Sequence, residues 1–133
     1  MAIILNADVL IADERGRFDL KSWLVARPGE EVELAAITVT ELFHGFERAL
    51  GTQKQRRLAY IDGVLDAFRV HPYTARAAQV HAQIWAELES GGQMIRYHDL
   101  IVAATALEHG RDVATFNKRH FAVVKGLKVI EPI

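Results

Sequence analysis

The stretch HDLIVAATALEHG, residues 98–110, constrains the fold more than any other part of the chain. Past its first turn it is apolar on nearly every side. A helix with no polar face belongs in an interior, not on a surface. Gly110 gives it a stop. Such a helix needs a layer packed over it on each side. The other apolar runs supply the material: 3–5, 32–37, 69–72, 112–116 and 127–132 read as short strands. Between them lie helical patterns at 8–14, 19–26, 38–50, 54–68 and 73–92, and a turn or short helix at 117–121.

In 38–50, Val39, Leu42, Phe43, Phe46 and Leu50 form one stripe. In 54–68 the apolar face is Leu58, Ile61, Leu65 and Phe68. Pro28-Gly29, Gly51-Thr52 and Gly91-Gly92 punctuate the pattern. Strands alternating with helices imply βαβ units and a parallel sheet, covered on both faces. The class is therefore α/β. A length of 133 residues with half of them apolar suits one domain, spanning 1–133. No internal repeat, low-complexity segment or linker interrupts it.

Charge and composition exclude several function classes. A net charge of −1 provides no global basic field, so any grip on nucleic acid is local. The absence of cysteine rules out thiolate metal sites, a cysteine nucleophile and a disulfide framework, and fits a reducing compartment. No apolar run approaches the roughly 20 residues of a membrane span, and no signal-like segment precedes the first strand. These features predict a soluble, cytoplasmic protein with no membrane contact.

The polar residues gather in a definite place. In parallel α/β sheets, sites form at the carboxyl ends of the strands. Asn6 and Asp8 follow the first strand, Glu41 opens the helix after the second, and Asp99 opens the buried helix. Thr115 and Asn117 close the fourth strand segment. If Asn6 and Asp8 both continue the strand, they share a face, because residues two apart do. Each residue also has an ordinary reading. Thr38-x-x-Glu41 is a capping-box pattern, Asp99 suits a helix's first turn, Asp8 could be an N-cap, Asn117 a turn residue and Thr115 a strand former. All of these must hold together at one sheet edge for the edge to be functionless.

Carboxylates and amides without cysteine suit a hard cation such as Mg²⁺, which promotes phosphodiester hydrolysis. The six histidines do not pair into a metal motif; Glu41-x-x-His44 is half of a di-iron pattern with no second half. There is no phosphate-binding glycine loop and no nucleophile elbow, which weakens a small-molecule phosphatase. Arg96, Lys118 and Arg119 flank the acidic edge and could neutralise RNA phosphates. His98, beside Asp99, could touch substrate. Trp23 and Trp85 fit helix core faces better than a base-stacking platform.

Four stretches, IILNADVLIA, ITVTELFHGFERA, HDLIVAATALEHG and VATFNKRHF followed by GLKVIEP, occur in an order and spacing that resembles the PIN-domain nucleases, in particular the VapC-type toxins of toxin–antitoxin pairs. The likeness covers essentially the whole chain. It implies an α/β/α sandwich with a short, mostly parallel sheet. It implies an endoribonuclease dependent on Mg²⁺ or Mn²⁺, neutralised by a VapB-like antitoxin, acting as a homodimer or as a hetero-oligomer with the antitoxin. By motif match Glu41 and Asp99 are the second and third acids, Asn117 takes the fourth position, and Thr115 is the small hydroxyl residue before it. Asp8 matches a variable polar position. The resemblance thus makes Asn6, Glu41, Asp99 and Asn117 catalytic, Asn6, Asp8, Glu41 and Asp99 metal-binding, and Thr115 and Asn117 orienting groups for water or substrate.

One residue departs from the pattern. The family's first acid stands where this chain has Asn6. An amide oxygen can ligate a cation but brings no charge, which implies impaired catalysis. Two accounts stay open: an inactivated form of a toxin, or a variant in which Asp8 serves as ligand. The alternative function is a non-catalytic PIN-fold module that binds antitoxin or RNA.

Overall fold

A computed structural model describes residues 2–133. The chain forms β1 (Ala2–Leu5), α1 (Ala7–Glu14), α2 (Leu20–Val25), β2 (Glu31–Ala35), α3 (Ala36–Arg48), α4 (Gly51–Ala67) and β3 (Arg69–His71). It continues through α5 (Ala75–Ser90), α6 (Tyr97–His109), β4 (Asp112–Ala114), α7 (Lys118–Phe121) and β5 (Val129–Ile130). The five strands make one parallel sheet in the order β3-β2-β1-β4-β5. β1 sits at its centre, with Ile4 beside Glu33 of β2 and Val113 of β4.

The period-2 geometry of β1 divides the interior. Ile4 enters a core with Ile84 and Leu88 of α5, Leu100, Val102 and Ala106 of α6, and Phe121. Ile3 and Leu5 enter the opposite core with Val9 and Leu10 of α1, Trp23, Leu42, Ile61 and Val64. Helices therefore cover both faces, as an α/β/α sandwich requires. Every residue of α6 from Asp99 to Ala106 is buried, which accounts for its missing polar face. Full burial of each Leu, Ile or Val contributes roughly 1.5–3 kcal/mol. Gly110 ends α6 with φ +65°, the left-handed conformation that the sequence stop requires.

Several local expectations are corrected. β1 stops at Leu5, and α1 begins at Ala7, so Asn6 and Asp8 do not share a strand face. The N-cap position of α1 is Asn6, not Asp8. The run 32–37 is strand only to Ala35; Ala36 and Ile37 already belong to α3. The earlier start of α3 removes the capping box, because Thr38 lies inside the helix and its hydroxyl is buried without a partner. Leu50 falls between α3 and α4 and is exposed rather than part of the α3 stripe, and Gly51 opens α4 instead of merely breaking the chain. β4 ends at Ala114, leaving Thr115 as the first residue beyond it.

A second buried polar group lies away from the sheet's carboxyl edge. Glu33, 3% exposed, points from β2 into the core. Its Oε1 accepts hydrogen bonds from Arg111 Nε and is paired with His71 Nε2, both at 2.8 Å. The His71 ring stacks on His109 at 4.1 Å. Burial raises the Glu33 carboxyl, but the hydrogen bonds from Arg111 and His71 outweigh it and hold the group below the usual carboxylate value.

Candidate functional site

The end of β1 places Asn6 inside the molecule. Its backbone N–H donates to Ala114 O of β4 at 2.9 Å, and its carbonyl accepts from the N–H of Val9, in the first turn of α1, at 3.1 Å. The side chain is consequently fixed at the seam of β1 and β4, 4% exposed. Its Nδ2 donates to Thr115 Oγ1 over a long 3.4 Å, and its Oδ1 has no partner.

Thr115 organises this seam. Its hydroxyl donates to the Asp8 carboxylate, 2.9 Å from Oδ2 and 3.1 Å from Oδ1. The same oxygen accepts from Asn117 N–H at 3.0 Å as well as from Asn6. One donor and two acceptor positions are all that a hydroxyl has, so Thr115 is saturated. Asp8 Oδ2 also accepts from Phe116 N–H at 2.9 Å. The Asp8 carboxylate therefore ties the first turn of α1 to the loop after β4.

α3 and α6 bring two further acids. Glu41 is partly buried and Asp99 is 2% exposed. Glu41 Oε1 and Asp99 Oδ2 are buried without hydrogen-bond partners. Burial pushes both carboxyls above their ordinary values, opposed by Arg96 and His98 and reinforced by the neighbouring acids, Asp8 included. Arg96 Nη2 lies 3.7 Å from Glu41 Oε2. The N-terminus of α1, the second turn of α3, the first turn of α6 and the end of β4 thus meet at one edge. Three buried oxygens there, Asn6 Oδ1, Glu41 Oε1 and Asp99 Oδ2, have no donor. A native interior leaves few such groups unpaired, and those it leaves call for an explanation.

A hollow of about 540 Å³ opens beside the acids, lined among others by Ile11, Glu41, His44, Arg48, Arg96 and His98. A second, of about 430 Å³, is lined by Asp8, Ile11, Arg15, Arg17, Phe116 and Asn117. Ile11 and Arg15 line both, so the hollows form one track past the acidic edge with guanidinium groups along it. Arginines thus gather locally on a chain whose net charge is −1.

All six residues singled out in the sequence, Asn6, Asp8, Glu41, Asp99, Thr115 and Asn117, lie at this edge. Asn117 differs from the others: it is exposed, and it joins the network through its backbone N–H. Among the described residues no three Asp, Glu or His side chains stand together as a metal cage. The available donor set is two carboxylates and the Asn6 amide, with Asp8 hydrogen-bonded alongside. Oxygen-only donors of this kind, buried and without partners, fit a hard divalent cation. The structure adds groups that no motif announced: Arg15, Arg17 and Arg48 along the track, and Phe116 N–H on Asp8. Backbone donors and arginines carry no local pattern, so only their convergence shows them.

A family model described as the PIN domain matches residues 3–127. The chain belongs to the PIN-domain family. Within this PIN domain the matched stretch runs from β1 to the loop before β5 and includes every residue of the edge. It is 31% identical over 131 residues to Ribonuclease VapC1 of Rickettsia felis, covering 98% of this chain and 96% of the relative. It is 32% identical over 96 residues to the tRNA(fMet)-specific endonuclease VapC of Salmonella typhimurium, covering 72% and 71% of the two chains. A crystal structure of VapBC-5, a member of the VapBC family of toxin–antitoxin systems from Mycobacterium tuberculosis, superposes with a TM-score of 0.79 at 28% identity, covering 98% of both chains. These similarities assign this PIN domain to the VapC branch of the family.

Proposed function

We propose that the protein is an endoribonuclease toxin of the VapC type, acting in the cytoplasm and hydrolysing RNA phosphodiesters with water at the carboxyl edge of its sheet. The observation that carries this reading is the trio of unpartnered buried oxygens, Asn6 Oδ1, Glu41 Oε1 and Asp99 Oδ2, beside an arginine-lined track. Glu41 and Asp99 would hold Mg²⁺ or Mn²⁺, with the Asn6 amide oxygen as a neutral third donor and Asp8 adding charge alongside. When bound, such an ion supplies activation of water and stabilisation of the leaving oxygen. The chain's own groups do the rest. Arg96 and the guanidiniums of the track bind phosphates on either side of the scissile bond. Thr115 holds Asp8 and the Asn117 loop in register, so that the Asn117 side chain faces solvent where water or RNA arrives.

The reading includes a VapB-like antitoxin as partner, supported by the toxin–antitoxin system to which the similar VapBC-5 structure belongs. An apolar hollow of about 480 Å³ between α2 and α4, lined in part by Leu20, Leu24, Val25, Val64 and Phe68, offers a protein chain a place to bind.

A second reading, a non-catalytic module that binds RNA or antitoxin, is favoured by Asn6, which leaves the edge one negative charge short. One experiment separates the two. Cleavage of RNA is measured with Mg²⁺ or Mn²⁺ for the chain as it stands and for Asn6→Asp, Glu41→Gln and Asp99→Asn. The catalytic reading expects cleavage by the chain or by Asn6→Asp, and its loss in the other two variants. No cleavage by either the chain or Asn6→Asp supports the binding module.

A further inference from the structure

The structure contradicts one expectation in a useful way. Trp85 does not sit in a helix core; it is 40% exposed on α5. Tyr97, the first residue of α6, is 58% exposed, and the two rings meet edge to face at 6.4 Å and 89°. Large aromatics are usually drawn inward, and two of them left open side by side ask for a ligand.

The pair is rigidly backed. His81 lies behind it, 3% exposed, stacked on Trp85 at 6.0 Å and edge-on to Tyr97 at 5.1 Å. Tyr73 Oη anchors the His81 ring by a 2.9 Å hydrogen bond to Nδ1. Burial lowers the His81 pKa, so the ring behind the aromatics tends to be neutral, and its Nε2 has no partner.

Tyr97 neighbours the acidic edge along the chain. Tyr97 follows Arg96, which pairs with Glu41, and precedes His98 and Asp99. Arg96 and His98 line the basic track. A cation for phosphates and a flat apolar face for bases therefore adjoin, which is the chemistry of single-stranded nucleic acid. We infer that Trp85 and Tyr97 form a stacking subsite for an unpaired base of the RNA, next to the nucleotide held at the acidic edge. The inference rests on the ribonuclease reading of that edge and adds to it two residues, Trp85 and Tyr97, that would hold an unpaired base near the cleaved bond. Stacking tolerates any base, so the subsite selects for absence of pairing more than for sequence.

The test uses the full chain in EDTA, where binding is read without cleavage, and a ten-nucleotide mixed-sequence single-stranded RNA as probe. RNA should quench the emission of Trp85, since the other tryptophan, Trp23, is buried. Tyr97→Leu and Trp85→Leu should each weaken binding about tenfold, and Tyr97→Phe should restore it. An abasic oligomer of the same length should bind the parent and Tyr97→Leu equally. Circular dichroism and thermal melting establish that the variants fold, and light scattering establishes their association state. Undiminished RNA binding by both leucine variants overturns the subsite while leaving the ribonuclease reading intact. Loss of self-association in place of lost RNA binding overturns it in favour of a contact between two copies of the chain. If the parent neither binds nor cleaves RNA, the edge reading fails together with the subsite.

Discussion

The hydroxyl of Thr115 stands 2.9 Å from Asp8 Oδ2, joining residues 107 positions apart in the chain. Around that single contact the first turn of α1, the end of β4 and the loop carrying Asn117 are locked together. Thr115→Val keeps the volume and removes the hydroxyl. It leaves Asn6 Nδ2 and Asn117 N–H without their acceptor and Asp8 without one donor. The expected loss is about 1–3 kcal/mol of unfolding free energy, measured by urea denaturation, together with a drop in RNA cleavage. A neutral outcome on both would remove Thr115 from the account of the site.

Asp99 should be stabilising to lose. Its carboxylate is buried, has an unpartnered Oδ2 and faces other acids. Asp99→Asn relieves that repulsion at neutral pH. A gain of roughly 0.5–2 kcal/mol is expected, with RNA cleavage abolished. Differential scanning calorimetry without divalent cations decides the first part; a lowered Tm would contradict the picture of an unsatisfied acid.

Asn6→Asp should do the reverse. Adding a carboxylate between Thr115 and the other acids lowers the Tm in EDTA. Mg²⁺ or Mn²⁺ should then raise the Tm of Asn6→Asp more than that of the parent, because a ligand that binds only the folded state stabilises in proportion to its affinity. Equal shifts for the two proteins would mean that Asn6 does not face the cation.

The Glu33 network predicts an acid limit remote from the site. The folded carboxyl is held below its ordinary value by Arg111 and His71, despite burial. A depressed carboxyl contributes stability above its unfolded pKa, about 4.3 for Glu. That contribution is lost as pH falls through the lower folded value. Glu33→Gln should flatten this acid limb of the stability curve. Glu33→Ala, which takes the carboxylate from Arg111 Nε and His71 Nε2 and leaves Arg111 only its bond to His109 O, should cost about 3–5 kcal/mol. Denaturation midpoints between neutral pH and strong acid measure both.

Periodicity and composition made much of this molecule readable. The α6 segment had to be buried because it has no polar face, and Gly110 had to end it. Alternating strands and helices dictated a parallel sheet with covered faces, so the carboxyl edge could be named as the candidate site. Local starts were less legible. Ala35-Ala36 carry no signal separating strand from helix, so the onset of α3 and the fate of Thr38 stayed hidden. Trp85, expected on a helix core face, yields that face to its neighbour Ile84; Ile84 is 6% exposed and Trp85 is 40% exposed.

The sequence by itself determined which elements form, because helix and strand periods are local properties of the chain. It also determined the chemical types available at the edge, including the amide at position 6 in place of an acid. Tertiary structure decided which groups are partnered. Thr115 reaches Asp8, Arg111 reaches Glu33, Arg96 comes to Glu41, and Asn6 Oδ1, Glu41 Oε1 and Asp99 Oδ2 are left without donors. Partnership depends on sheet order and register, which join residues far apart in the chain through contacts that no local spacing encodes.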